Sequence, residues 1–169
     1  MRKPSAQTSV RNPRARAVAD EPTHAVLELD QFLPYRLSVL SNRISQDIAG
    51  LYEERFGIGI TEWRVIAVLG RYPGLSANEV AERTAMDKVA VSRAVRSLVD
   101  KELVQQAFSG EDRRRSELCL SRKGFRIFDE IVPLALDYQR QLQAAFTETE
   151  RAQFLRLVEK LEAAEQTLM

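Results

Sequence analysis

Two helix-start signals, Ser76 and Asp87, stand so close together that the helices they open must be short and joined by a tight turn. Ser76 with Glu79 forms a capping box: the hydroxyl accepts a free backbone N–H while the carboxylate reaches back to the cap residue. The helix that follows is predicted to end near Thr84. Asp87 can accept the next set of free N–H groups, opening a helix to about Lys101 with Val91, Val95, Leu98 and Val99 as its buried stripe. Leu103-Val104 and the alternating Leu118-Cys119-Leu120 then read as two antiparallel strands joined by a loop around Ser109-Gly110. Two short amphipathic helices, a hairpin and a basic tip at Arg113, Arg114 and Arg115 predict a winged helix-turn-helix, an arrangement suited to reading duplex DNA.

The second of these helices has the surface a recognition helix needs. Its backbone must enter a major groove roughly 12 Å wide, so the outward residues near its start should be small, β-branched or polar. Lys88, Val89, Ala90, Ser92, Arg93 and Arg96 meet that requirement between the buried positions. Arg93 can pair with a guanine edge or clamp a phosphate, and Ser92 is a short donor. At the hairpin tip, Arg113, Arg114 and Arg115 suit the negative potential of a narrow minor groove. Asp112 would repel phosphates, so it is read as an orienter for Arg114 or a neighbouring arginine. The plainer alternatives are a core helix with solvated charges and an ordinary charged turn.

Charge distribution supports the sharper reading. The net charge is only +1, yet residues 83–101 hold five Lys or Arg against two Asp. Residues 129–169 hold four basic against eight acidic residues. A cationic centre beside an acidic C-terminal segment separates charge along the chain.

Around this centre the pattern is helical. Leu29, Leu33, Leu37, Leu40, Ile44, Ile48 and Leu51 step by threes and fours, predicting one long helix that ends at Gly57 and Gly59, with Pro34 near its start. Thr61 is expected to cap the next helix, carrying Trp63, Val65, Ile66, Val68 and Leu69 and ended by Pro73-Gly74. Ser121 opens a helix with Phe125, Phe128, Ile131 and Val132, in which Pro133 is expected to introduce a bend. Thr147 to Glu150 caps a last helix with Phe154, Leu157, Val158, Leu161 and Leu168. The expected order is α-α-α-α-β-β-α-α. The long first helix and the last two have apolar stripes broader than so small a fold can cover, which predicts intertwined dimerisation. The fold class is therefore mainly α with a small β-hairpin wing: a DNA-binding lobe over 61–120 and dimerisation helices over 28–58 and 121–168 in one domain, 28–168. Residues 1–27, with Pro4, Pro13 and Pro22 and an acid-free basic start, read as a disordered tail in preference to a DNA-contacting arm or a targeting segment.

Catalytic readings find little support. His24 is the only histidine and falls in the tail, which removes histidine triads and multi-histidine metal sites. No Gly-rich phosphate loop precedes a helix. The single cysteine, Cys119, cannot form an internal disulfide, and its place between Leu118 and Leu120 turns it away from them. No apolar run reaches the ~18–20 residues a membrane span needs. A non-enzymatic cytoplasmic protein without cofactor or metal is expected.

The pattern Asp112-x-Arg114-x-x-x-Leu118-x-Leu120-Ser121-x-x-Gly124 resembles the wing signature of the MarR family of bacterial transcription regulators. Leu75-Ser76-x-x-Glu79-Val80-Ala81 and Val91-Ser92-Arg93-x-Val95-x-x-Leu98-x-x-Lys101-x-Leu103-Val104 are similar to its helix-turn-helix. The similarity extends over about residues 28–168. Glu102 departs from it, because the family usually has glycine there, and a small backbone adjustment before the wing is expected. The resemblance implies a homodimer on a pseudo-palindromic duplex operator, acting as a repressor released by a small ligand. It also implies an effector pocket between scaffold and DNA-binding lobe, for which Tyr35, Arg36, Asn42, Arg43, Trp63 and Arg64 are candidates. Arginine forks with apolar walls suit an aromatic carboxylate or an aryl-coenzyme A thioester. The rival readings are a constitutive architectural DNA binder without effector and a protein-interaction adaptor.

Overall fold

A computed structural model describes residues 24–108 and 116–168 of the chain. It resolves into two compact units, Met1–Ser38 and Val39–Met169. In the first unit, the amide N–H groups of Gln31 and Phe32 close a turn on the Glu28 carbonyl at 3.0 and 3.1 Å. Helix α1 (Leu33–Gly50) begins there and continues into the second unit. Its start is later than the apolar stepping from Leu29 suggested. Pro34 accounts for this: lacking an N–H and fixed in φ, it is tolerated only in a first turn, so the helix begins around it.

The long first helix is also interrupted at its far end. Leu51 and Tyr52 donate to the carbonyls three residues back, at 3.1 and 3.0 Å, and Tyr52 leaves the helical region with φ −133°. This tightened turn buries the Tyr52 ring completely. A separate short helix, α2 (Glu53–Phe56), follows, and Gly57 closes it at φ +63°, a left-handed conformation that suits glycine. Helix α3 (Ile60–Arg71) starts one residue before the expected cap Thr61, because Gly59 takes the cap position in extended conformation. The Glu62 carboxylate accepts the Gly59 N–H at 2.8 Å, doing from the third helical position what a cap side chain would otherwise do.

Helices α4 (Ala77–Thr84) and α5 (Lys88–Asp100) open as their sequence signals predict. The Ser76 N–H donates to Glu79 at 2.7 Å, and the Asp87 carboxylate accepts from Val89 and Ala90, both at 3.0 Å. Strands β1 (Val104–Phe108) and β2 (Ser116–Leu120) pair antiparallel with Val104 opposite Leu120 and Gln105 opposite Cys119. Leu75 adds a bridge to Leu118 on the other edge of β2. Helix α6 (Arg122–Gln143) runs through Pro133 without ending, and α7 (Glu148–Thr167) starts at a Thr147–Glu150 capping box. The observed order has one helix more than expected, the short α2.

The core is gathered around the winged-helix lobe: Val65, Ile66 and Leu69 from α3, Val80 from α4, Val91 and Leu98 from α5, Leu118 from β2 and Ile131 from α6 are all fully buried. By contrast, α7 buries no residue, leaving Phe154, Leu155, Leu157 and Leu161 exposed.

The join between α5, β1 and α6 explains the Leu-x-Leu-Ser-x-x-Gly spacing. At the end of α5, the Leu103 N–H reaches back to the Leu98 carbonyl at 2.8 Å and Glu102 N–H to Val99 at 2.9 Å. These bonds form a Schellman closure whose left-handed residue is Glu102, at φ +61°. The expected backbone adjustment is therefore absent: glutamate adopts the conformation glycine would have. Ser121 ties this turn to α6, its hydroxyl donating to the Glu102 carbonyl at 2.7 Å and its N–H to Leu103 at 3.0 Å. The same hydroxyl accepts the Gly124 N–H at 2.9 Å. Gly124 packs so closely that a Cβ there would overlap the Leu103 carbonyl oxygen. We predict opposite effects from two substitutions at this joint, read by denaturant unfolding. Gly124→Ala should cost roughly 3 kcal/mol or more, because backbone must move. Glu102→Gly should stabilise by about 0.5–1 kcal/mol as the left-handed strain is relieved.

Candidate nucleic-acid interface

Burial divides α5 cleanly. Val91, Ala94, Val95 and Leu98 face the core, while Lys88, Val89, Ser92, Arg93 and Arg96 are exposed and Ala90 is half-buried. Every sequence-predicted residue of this helix thus lies on its outer side or edge. Val89 is 56% exposed, an apolar side chain held in water at the helix start. A β-branched methyl pair there could meet a thymine methyl, and Arg93 and Arg96, one turn apart on the same side, offer guanidinium forks. Between α5 and the hairpin a groove of about 390 Å³ is lined by Ser92, Arg96, Asp100, Gln106, Ser116 and Leu118, among others. Asp112, Arg113, Arg114 and Arg115 lie outside the described residues.

The far end of α5 is fixed by a network that sequence reading missed. Glu62 Oε1 accepts from Ser97 Oγ at 2.6 Å and from Lys101 Nζ at 2.7 Å, and Lys101 Nζ also donates to the Gly57 carbonyl at 2.7 Å. Burial alone would raise the Glu62 pKa; the hydrogen bonds from Lys101, Ser97 and the Gly59 N–H outweigh it and hold the carboxyl below its ordinary value. The one local signal was Glu62 itself, three residues past Gly59 in a capping position. Its partners stand 35 and 39 residues away and leave no trace in local periodicity.

The candidate effector residues are distributed differently. Tyr35 and Arg36 belong to the Met1–Ser38 unit, where both are exposed. In the second unit, Asn42 and Arg43 are exposed on α1, and Arg64 Nη2 donates to Ser45 Oγ at 2.8 Å. Trp63 stands in an aromatic row, its ring 5.6 Å from Tyr52 and 6.2 Å from Phe128. Burial, aided by Glu53 and opposed by Arg64, pushes the Tyr52 phenol up to about 12. Cys119 is half-buried on β2, between the buried Leu118 and Leu120. Among the described residues no group of three or more His, Cys, Asp or Glu side chains is placed to hold a metal ion. No helix among them is long and apolar enough to cross a membrane.

Comparison with known proteins agrees with this geometry. Residues 56–115, from the end of α2 through β1 and stopping before β2, match the sequence model of the MarR family. A solved MarR/EmrR regulator from Acinetobacter sp. ADP1 is 28% identical and superposes with a TM-score of 0.76, over 83% of this chain and 99% of its own. The chain is similar to the MarR family in sequence over its winged-helix lobe and shares the fold of a solved member. It is accordingly a DNA-binding transcription regulator of the winged-helix type. The HTH-type transcriptional repressor MdtR of Bacillus subtilis is 27% identical over 68% of this chain and 74% of its own length. BpsR of Bordetella bronchiseptica, whose structure describes regulation of DNA binding by 6-hydroxynicotinic acid, is 18% identical. It shares the fold at a TM-score of 0.70, over 82% of this chain and 98% of its own.

The Glu62 network gives this chain a pH signature. The folded carboxyl titrates below its unfolded value, so its contribution is complete above the ordinary glutamate range and fades as pH falls through the lower folded value. Glu62→Gln should cost about 1–3 kcal/mol at neutral pH. The gap between variant and wild type should close in acid, and urea titrations from neutral pH downward check this; a gap that persists unchanged contradicts the assignment.

Proposed function

We propose that the chain is a cytoplasmic repressor that works as a homodimer on a pseudo-palindromic operator. In this reading an aromatic carboxylate, or its aryl-coenzyme A thioester, releases it. The observation that carries the reading is the division of α5: a continuous apolar face holds the helix, and Lys88, Val89, Ser92, Arg93 and Arg96 are left outward without acid partners among the described residues. Such a face suits direct readout of base edges with phosphate contacts on either side. On this reading Lys88, Val89, Ala90, Ser92, Arg93 and Arg96 read the major groove. Arg113, Arg114 and Arg115, oriented by Asp112, reach the minor groove.

Dimerisation is supported by the leucines that α7 leaves in water: Leu155, Leu157 and Leu161 are 40–57% exposed, an apolar surface that a second copy would cover. Two recognition helices related by a twofold would meet successive major grooves about 34 Å apart. The repressor role follows by similarity to MdtR, and an aromatic acid by similarity to BpsR, whose regulator is one. Arg64 beside the Tyr52–Trp63–Phe128 row, with Arg43 and Asn42 on α1, supplies the cationic and apolar elements such a ligand needs. An architectural binder without effector would have no use for that combination.

Selection of duplexes from a random pool by the purified chain, with sedimentation to give its assembly state, tests the DNA reading. We expect a palindromic consensus bound by a dimer, and Arg93→Ala to weaken it by about 1–3 kcal/mol while relaxing one position of the consensus. A monomer that retains no preferred duplex would refute the reading. The effector is tested by titrating hydroxylated aromatic acids and their thioesters with and without the selected duplex. Linkage requires that a ligand lowering DNA affinity tenfold bind the DNA complex tenfold more weakly. Equal binding in both states would remove the effector and leave the DNA assignment.

A further inference from the structure

Tyr72, in the turn after α3, is half in solvent, and two arginines converge on its ring. The Arg83 guanidinium carbon lies 4.3 Å from the ring centroid and that of Arg71 5.0 Å. Both arginines are exposed, and neither is paired with a carboxylate among the described residues. Two like charges drawn to one exposed ring repel each other, and the ring's quadrupole only partly offsets that. A surface that tolerates this without an ion-paired acid among the described residues is matched to an anion from outside. The ring also limits the freedom of two long side chains, so less entropy is lost when an anion arrives.

The position in the fold identifies that anion. Arg83 sits in the last turn of α4, four residues before Asp87, the N-cap of the recognition helix. In a helix-turn-helix the start of the recognition helix enters the groove while the preceding helix crosses the sugar–phosphate backbone. A cation at the end of α4 is therefore carried beside the strand that borders the groove. We propose that Arg71, Tyr72 and Arg83 form a phosphate clamp on the duplex backbone flanking the major-groove contact, fixing the register of the lobe without reading sequence. This rests on the DNA-binding reading above and adds to it a contact outside the recognition helix and the wing.

The test uses the full chain and a duplex that the wild type selects from a random pool. Affinity is measured across a salt series for wild type, the double variant Arg71→Gln/Arg83→Gln, the double variant Arg71→Lys/Arg83→Lys, Tyr72→Leu and Arg93→Ala. Each phosphate contact contributes about 0.9 to the slope of log affinity against log salt. The glutamine pair should lower the slope by about two and the affinity by roughly tenfold or more at fixed salt. Its preference among duplexes should stay as in wild type. The lysine pair should restore most of the slope, and Tyr72→Leu should keep the slope while losing a few-fold in affinity. Unchanged thermal unfolding of these surface variants separates the effect from loss of fold. If the glutamine pair keeps the wild-type slope while Arg93→Ala binds weakly, the clamp is overturned and the DNA reading stands. A changed sequence preference in the glutamine pair equally overturns the clamp as a sequence-blind contact. If the wild type selects no duplex at all, the underlying reading fails and the clamp with it.

Discussion

The close approach of Gly124 to the Leu103 carbonyl, secured by Ser121, sets the relation between the reading head and the rest of the lobe. Leu103 follows the closure of α5 and precedes β1; Gly124 lies in the first turn of α6. One serine hydroxyl bonds to the Glu102 carbonyl on one side and the Gly124 N–H on the other. A helix end, a strand start and a helix start thus share a single node, and absence of a side chain at one residue permits it. The core residues Leu98, Leu118 and Ile131 close around that node from α5, β2 and α6. Two further bonds continue the joint outward, from Lys123 Nζ to the Lys101 carbonyl at 2.8 Å and toward the Glu102 carboxylate at 3.6 Å.

Most of this lobe was legible in the sequence because it is encoded locally. Ser76 with Glu79, Asp87, Ser121 and Thr147 each satisfy backbone N–H groups within three residues, so each helix start is written beside the helix it starts. The alternation of Leu118, Cys119 and Leu120 likewise gave the strand and its buried side. Illegible features depend on contacts between distant residues. The break at Leu51–Tyr52 follows from burial of one ring beside Trp63, whereas the apolar stepping runs smoothly across it. The start of α3 depends on a carboxylate that also serves Ser97 and Lys101. At Glu102 the sequence showed an unusual residue, and only the backbone showed that the glycine-like conformation was kept.

The same network revises the charge count of the centre. Lys101 belongs to the basic cluster by position, yet its ammonium is committed to Glu62 and Gly57 and serves the fold. The cations of α5 left for an external anion are Lys88, Arg93 and Arg96, all exposed and all before the last turn of the helix. Positive charge is thus concentrated toward the start of the helix, and the end near the helix C-terminus carries structural bonds.

Helix α5 is capped at its start by the Asp87 carboxylate, which bonds only the helix's own N–H groups, and is tied at its other end to Glu62 and the Gly57 carbonyl by Ser97 and Lys101. A rod tied at one end, with Val91, Ala94, Val95 and Leu98 buried along its length, does not slide by itself. It moves only with the body to which it is pinned, here the lobe formed by α3 to β2 and the start of α6. In the proposed function, control would work by leverage, through the angle at which an intact lobe is presented. A signal that loosened the Glu62 bonds would blunt that lever, and one that turned the whole lobe would leave every bond within it intact.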